Sequence, residues 1–167
     1  MVRCAGGPIL LKVDSVIEGV HFPPAATPEQ VGHKALARPL SDIAAMGGIP
    51  TFAVVAMMMP RARRLRKARR IYLGMEKLAR GTRVRVVGGD ISTHPGKLAL
   101  SVFLTGEMRG AKPVLRGGAR PGDAILVTGS LGGAIRGRHL TFEPRLREGR
   151  LFATRYRVRA MIDISDG

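Results

Sequence analysis

Apolar residues form short runs and alternations that predict several β-strands. The segments "PILLKVDSV" (8–16), "TFAVVAMMM" (51–59) and "LALSVFLTGEM" (98–108) are rich in apolar and β-branched residues, which is typical of strands. The segment "RVRVVGGD" (83–90) predicts a short strand that opens into a glycine turn, and "AILVTG" (124–129) predicts a further strand. The chain therefore has enough strand-forming sequence for a sheet.

Two segments have helical signals. Thr27 is placed to cap a helix that starts at Pro28, and Gln30 completes a capping-box pattern. Pro39 is expected to break or kink that helix, after which "LSDIAAM" forms a second helical segment that ends at Gly47-Gly48. The spacing of apolar residues between positions 62 and 80 also predicts a helix. Its apolar face would consist of Leu65, Ala68, Tyr72, Met75 and Ala79. The order of strands and helices predicts an α+β or mixed α/β fold.

Composition narrows the class of protein. The 167 residues suit one medium domain or slightly more, and a 45% hydrophobic content is enough for a packed core. The single cysteine, Cys4, excludes an internal disulfide. The longest apolar run is far shorter than the roughly 20 residues of a membrane span, so we expect a cytoplasmic protein without a membrane partner.

The net charge of +16 has two interpretations. It indicates either an anionic partner, such as nucleic acid or phosphates, or a solvated arginine-rich surface. Only 4% of residues are aromatic, and no nucleic-acid-binding motif is apparent, so a nucleic-acid partner is the weaker hypothesis.

Six aspartates stand out among only 12 acidic residues. Asp123 lies in an ordinary "PGD" turn, whereas the other five lie beside Ser or Gly at the predicted ends of elements: Asp14, Asp42, Asp90, Asp163 and Asp166. Oxygen ligands of this kind suit Mg²⁺, which often bridges carboxylates to substrate phosphates. Each motif taken alone is also explained by a helix cap or a turn.

Five motifs in this order resemble the thiamine-monophosphate kinase family, in the superfamily of aminoimidazole-ribonucleotide synthetase. They are "VDSVIEGVHF", "GHKALARPLSDIAAMGGIP", "VVGGDIS", "LRGGARPGDAILVTGSLGGA" and "MIDISDG". The resemblance implies an α+β fold. Residues 1–110 would form an N-terminal synthetase-like α/β domain with a dimerising sheet, and residues 111–167 the truncated start of a second α/β domain.

The resemblance also implies a reaction and a set of site residues. ATP would donate a phosphoryl group directly to thiamine monophosphate, aided by Mg²⁺ and without a protein nucleophile. The metal ligands would be Asp14, Ser15, Asp42, Asp90, Asp163 and Asp166. Gly89, Asp90, Arg116 and Ser165 would contact the nucleotide, His21 would contact the substrate, and Tyr72 would be a further nucleotide contact.

The family continues beyond the "ISDG" motif, at which this sequence ends. We therefore expect the chain to be part of a homodimeric kinase, with little activity by itself. A nucleotide-binding or dimerising protein without catalysis is the alternative, and a basic nucleic-acid-binding protein is a less favoured one.

Overall fold

The computed structural model describes residues 2–4, 7–60 and 64–165, with the backbone alone for 2–4 and Arg64. The strands are β1 (Val2–Cys4), β2 (Gly7–Ile17), β3 (Ile49–Met59), β4 (Arg85–Thr93) and β5 (Ala99–Glu107). The helices are α1 (Pro28–Ala45), α2 (Arg64–Thr82) and α3 (Leu146–Arg155), with two short 3₁₀ turns at Ala134–Arg136 and Arg138–Leu140.

The five strands form one mixed sheet in the order β1-β2-β5-β3-β4. Strand β5 runs antiparallel to both β2 and β3, so β2 and β3 are parallel to each other. Helix α1 connects β2 to β3, and α2 connects β3 to its parallel neighbour β4. The predicted mixed α/β fold class is confirmed.

Helix α1 begins and ends as its sequence predicts. The Thr27 side chain accepts a hydrogen bond from the Gln30 amide, and the Gln30 side chain accepts one from the Thr27 amide. At the other end the Gly47 amide donates to Ala44 and the Gly48 amide to Ile43, with Gly47 at φ +71°. This is a Schellman motif, which needs a residue that tolerates positive φ.

Pro39 was expected to break or kink this helix, and the break does not occur. Helix α1 continues through Pro39 for a total of 18 residues. Its apolar face is fully buried at Leu36, Leu40 and Ile43, and this tertiary packing compensates for the missing backbone donor of proline.

Helix α2 packs against α1, but the face that it buries differs from the predicted one. Ala68, Met75 and Ala79 are buried as expected. Leu65 and Tyr72 are exposed, and their places in the core are taken by Ile71 and Leu78. The α1–α2 crossing rotates the buried stripe toward these two residues.

Two of the predicted strand features are also corrected. The "GGD" motif is not a turn, because β4 continues through it to Thr93 in parallel pairing with β3. The segment 124–129 is not a strand, since no described strand lies beside it to accept its backbone hydrogen bonds. Its Ile125 is 92% exposed and Leu126 78% exposed.

The two faces of the sheet differ in their partners. The core lies on the side covered by α1 and α2, where Leu10, Val16, Leu100 and Leu104 are buried. The opposite side, called the open face below, carries exposed apolar side chains: Leu11, Val13, Ile17, Phe52, Val54, Met58 and Phe103. The alternation of each strand places one set of residues on each side.

The segment after β5 follows the surface of this domain without forming a strand in its described residues. His33 of α1 hydrogen-bonds the Phe142 carbonyl, and Lys34 hydrogen-bonds His139. Helix α3 contacts the end of α1, where Gly149 approaches the Ala44 carbonyl closely. None of the described helices is long and apolar enough to cross a membrane.

Candidate metal and phosphate site

A cleft brings together charged residues from four separate parts of the chain. Strand β2, helix α1, the loop around Arg116 and the segment 162–165 each contribute to it. Its lining consists of Lys12, Asp14, Arg38, Asp42, Arg116, Ile162, Asp163, Ile164 and Ser165. Three carboxylates therefore face three basic side chains in one cleft.

The local structure explains why these side chains meet. Lys12 and Asp14 alternate with Leu11 and Val13 along β2, so both point to the side of the sheet that α1 covers. On α1, Arg38 and Asp42 lie one helical turn apart and share a face. The cleft forms where this face of α1 crosses β2.

Lys12 is the central cation of the cleft. Its Nζ lies 2.9 Å from Asp42 Oδ2 and 3.5 Å from Asp14 Oδ2. Burial alone would lower the pKa of Lys12, but the hydrogen bond to Asp42 and the charges of both aspartates outweigh burial and raise this pKa. Lys12 is therefore held in its charged form.

The two arginines of the cleft, Arg38 and Arg116, are farther from Asp14 and Asp42 than Lys12 is. Arg38 Nη2 lies 4.0 Å from Asp14 Oδ1, and Arg116 Nη2 lies 3.8 Å from Asp42 Oδ1. Partial burial raises the pKa of Asp42; Lys12 opposes this effect, and the negative charge of Asp14 adds to it. Two carboxylates that repel each other favour the binding of a further cation.

Asp163 provides an oxygen that lacks a partner. Its Oδ2 is buried and has no hydrogen bond within the described part of the chain. A buried carboxylate oxygen without a donor fits a hard cation. No three His, Cys, Asp or Glu side chains among the described residues form a complete metal site. The donors present nevertheless suit Mg²⁺, which commonly takes one or two carboxylates and completes its shell with water and phosphate.

Two of the residues predicted from the sequence, Ser15 and His21, are outside the cleft lining. The Ser15 hydroxyl is on the open face and hydrogen-bonds Ser101 at 2.7 Å, while its carbonyl accepts a hydrogen bond from Arg38. His21 lies in the turn after β2, where its Nδ1 accepts a hydrogen bond from the Ile17 amide at 3.1 Å.

Gly89 and Asp90 lie in β4, outside the cleft lining. Asp90 pairs with Ala56, which pairs with Ser101, so Asp90 shares the open face with Ser15. A Cβ on Gly89 would lie 2.0 Å from the Val55 carbonyl oxygen, so this glycine allows β3 and β4 to approach. Tyr72 is exposed on α2 and also lies outside the cleft lining. Asp166 lies outside the described residues.

Lys12 and Arg38 were not among the site residues predicted from the sequence. Both carried a usable signal, because Lys12 lies two residues before Asp14 on one strand and Arg38 lies four residues before Asp42 on one helix. Those spacings place each basic residue on the same side of its element as the aspartate.

Comparison with known proteins identifies the family. The family described as AIR synthase related protein, N-terminal domain, matches residues 1–108, and the chain belongs to this family. Thiamine-monophosphate kinase of Rhodopirellula baltica is 40% identical over 158 residues, which are 92% of this chain and 48% of that protein. The Bacillus subtilis thiamine-monophosphate kinase is 35% identical, covering 93% of this chain and 54% of its own length.

Solved structures show the same likeness. Thiamine monophosphate kinase from Aquifex aeolicus superposes with a TM-score of 0.79 at 33% identity, covering 87% of this chain and 56% of that one. The complex of AaThiL with AMPPCP and TMP gives a TM-score of 0.81 at 31% identity, with 91% and 55% covered. The chain thus spans about half the length of the relatives that it matches.

Proposed function

We propose that this chain provides the ATP- and Mg²⁺-binding part of a thiamine-monophosphate kinase. The observation that carries the proposal is the meeting of Asp14, Asp42, Asp163, Ser165 and Arg116 in one cleft. These residues are far apart in the sequence, and each was expected from its motif to bind metal or nucleotide. The assignment is supported by relatives named thiamine-monophosphate kinase and by a solved structure with the same fold.

The chemistry explains why such a cleft suits the reaction. ATP would transfer its terminal phosphoryl group in line to the phosphate of thiamine monophosphate, and repulsion between the two anions is the main obstacle. Bound Mg²⁺ supplies positive charge that neutralises and aligns phosphate oxygens. Asp14, Asp42 and Asp163 would hold Mg²⁺, while Arg116, whose side chain is 72% exposed, is free to turn toward a phosphate.

Some predicted roles lie beyond the cleft and belong to the proposal as well. Ser15, Asp90 and Gly89 would serve metal and nucleotide, and His21 the substrate. The proposal includes a cytoplasmic location, where ATP and Mg²⁺ are supplied. Because the chain spans about half the length of its relatives, we expect it to bind nucleotide with little turnover by itself.

The open face favours a homodimer as part of this proposal. Val13, Phe103 and Val54 are register partners in adjacent strands, and each is at least 40% exposed. A contiguous apolar patch of this kind is typical of a protein–protein interface. A second copy of the same sheet offers a matching apolar surface.

Calorimetric titration with a non-hydrolysable ATP analogue tests the proposal. Binding should require Mg²⁺ and should be lost in Asp42→Asn. Glu76→Gln, which removes a carboxylate from a surface ion pair on α2, is the matched control and should bind like the wild type. Asp90→Asn tests the contribution of β4 separately from that of the cleft. It should weaken nucleotide binding only if Asp90 binds metal or nucleotide as its motif implies.

Two results would redirect the assignment. The assay would also contain thiamine monophosphate and the half of a full-length relative that this chain does not match. Mg²⁺-dependent binding with no ADP release under these conditions would favour a nucleotide-binding protein without catalysis. A folded chain that binds no nucleotide would remove the kinase assignment altogether.

A further inference from the structure

The ammonium group of Lys12 occupies the position that a bridging cation would take. It lies 2.9 Å from one carboxylate oxygen of Asp42 and 3.5 Å from one of Asp14. The side chain is 29% exposed and comes from the strand that also carries Asp14. No other basic group in the described part of the chain is as close to Asp42.

This arrangement has a consequence for metal binding. An ammonium and a divalent cation seek the same carboxylate oxygens and repel each other at contact distance. For a metal ion to bind both aspartates, the Lys12 ammonium must first leave them.

We propose that Lys12 is a built-in counter-ion, which neutralises Asp14 and Asp42 in the metal-free protein and weakens their affinity for divalent cations. The inference rests on the proposed function, since it concerns the same aspartates. Lys12 thereby stabilises the empty cleft at the expense of metal affinity. Arg38 and Arg116 are not equivalent to it, because Arg38 lies 4.0 Å from Asp14 and Arg116 lies 3.8 Å from Asp42.

Direct Mn²⁺ binding to the full chain tests the inference without an activity assay. Free Mn²⁺ would be measured by electron paramagnetic resonance in the absence of nucleotide, for the wild type, Lys12→Met and Lys12→Gln. Removal of one positive charge within about 4 Å of the bound ion should tighten binding about tenfold or more. The control Lys77→Met removes a charge from an exposed site on α2, outside the cleft, and should leave binding unchanged.

Stability provides a second readout. Without metal, the Lys12 variants should melt at a lower temperature than the wild type, because only the more distant Arg38 and Arg116 then offset the repulsion between Asp14 and Asp42. Added Mn²⁺ should raise their melting temperature more than that of the wild type. Lys12→Gln replaces the ammonium with a neutral amide donor on a shorter side chain, so it supports the test if Lys12→Met does not fold.

The outcomes separate this inference from the proposed function. If wild type and Lys12 variants bind Mn²⁺ equally, and Asp42→Asn abolishes the binding, the metal site stands and the counter-ion role is wrong. Weaker binding in the Lys12 variants would also overturn the counter-ion role. If no variant binds Mn²⁺, both the inference and the metal-dependent function fall.

Discussion

The substitution Gly74→Ala probes the close crossing of α1 and α2, on which the position of the cleft helix α1 depends. A Cβ on Gly74 would lie 2.1 Å from the carbonyl oxygen of Glu29 and 2.6 Å from its Cα. Both are backbone atoms of α1, so no side-chain rotation relieves the contact. Ordinary van der Waals contact begins at 3.4 Å, and the two helices must therefore separate by about 1 Å.

The expected loss of stability combines two opposing effects. Alanine is favoured over glycine inside a helix by about 1 kcal/mol. Overpacking of a rigid contact costs about 1–3 kcal/mol, occasionally more, and the backbone contact here is at the severe end. We expect the free energy of unfolding to fall by about 2 kcal/mol, which lowers the melting temperature by about 4–8 °C in a chain of this size.

Urea unfolding followed by circular dichroism measures this difference. Gly81→Ala is the matched control on the same helix, because a Cβ there meets nothing within 4 Å. It should be neutral or stabilising, by up to about 1 kcal/mol. A Gly74→Ala protein as stable as Gly81→Ala would refute the close helix crossing.

Three further predictions concern the helix cap, the open face and a partly buried histidine contact. Thr27→Ala removes the capping hydroxyl of α1 and should lower the free energy of unfolding by about 1 kcal/mol in urea titrations. Phe103→Lys should shift the mass measured by light scattering toward that of a monomer. The control Leu65→Lys, at an exposed apolar site on α2, should leave the mass unchanged. An unchanged mass for Phe103→Lys would exclude the open face as the interface. Burial and the charge of Lys34 lower the pKa of His139, so the stability that this neutral histidine contributes is present above its unfolded pKa and is lost as the pH falls. Wild type should therefore lose more stability than His139→Asn between about pH 7.5 and about pH 5.5 in urea titrations, and equal losses would argue against the lowered pKa.

Local signals account for the features that were predicted well. The capping box at Thr27 and the Schellman motif at Gly47 each depend on a few neighbouring residues, so the sequence contains all the necessary information. The same holds for β2, β3 and β5, whose apolar runs are long enough to predict strands.

The features that were predicted wrongly depend on distant contacts. Helix α1 continues through Pro39 because both sides of the helix are packed, and no local rule contains that information. The buried stripe of α2 includes Ile71 and Leu78 because of how α2 packs against the rest of the domain, including α1. The segment 124–129 has the composition of a strand, yet no neighbouring strand pairs with it in the described structure.

The composition of the cleft was also only partly predictable from the sequence, because it depends on contacts between distant residues. Resemblance identified Asp14, Asp42, Asp163, Ser165 and Arg116, but only the fold shows that they line one cleft. Lys12 was overlooked because no motif contains it, although the strand period places it beside Asp14. Asp90 is the opposite case. Its motif is clear, yet the sheet register places it on the opposite face from Asp14.

The alternation of β2 explains how one strand serves both the cleft and the open face. Leu10, Lys12, Asp14 and Val16 point toward α1, and the polar pair in the middle lines the cleft. The intervening positions include Leu11, Val13 and Ile17, which cover the open face with apolar surface. A register shifted by one residue would have buried Leu11 and Val13 and placed Lys12 and Asp14 on the open face. The observed register instead places the charges where α1 can meet them and leaves Leu11, Val13 and Ile17 on the open face. Because a shift by one residue would exchange the two sets, the register of β2 with β5 determines both the proposed metal site and the proposed dimer surface.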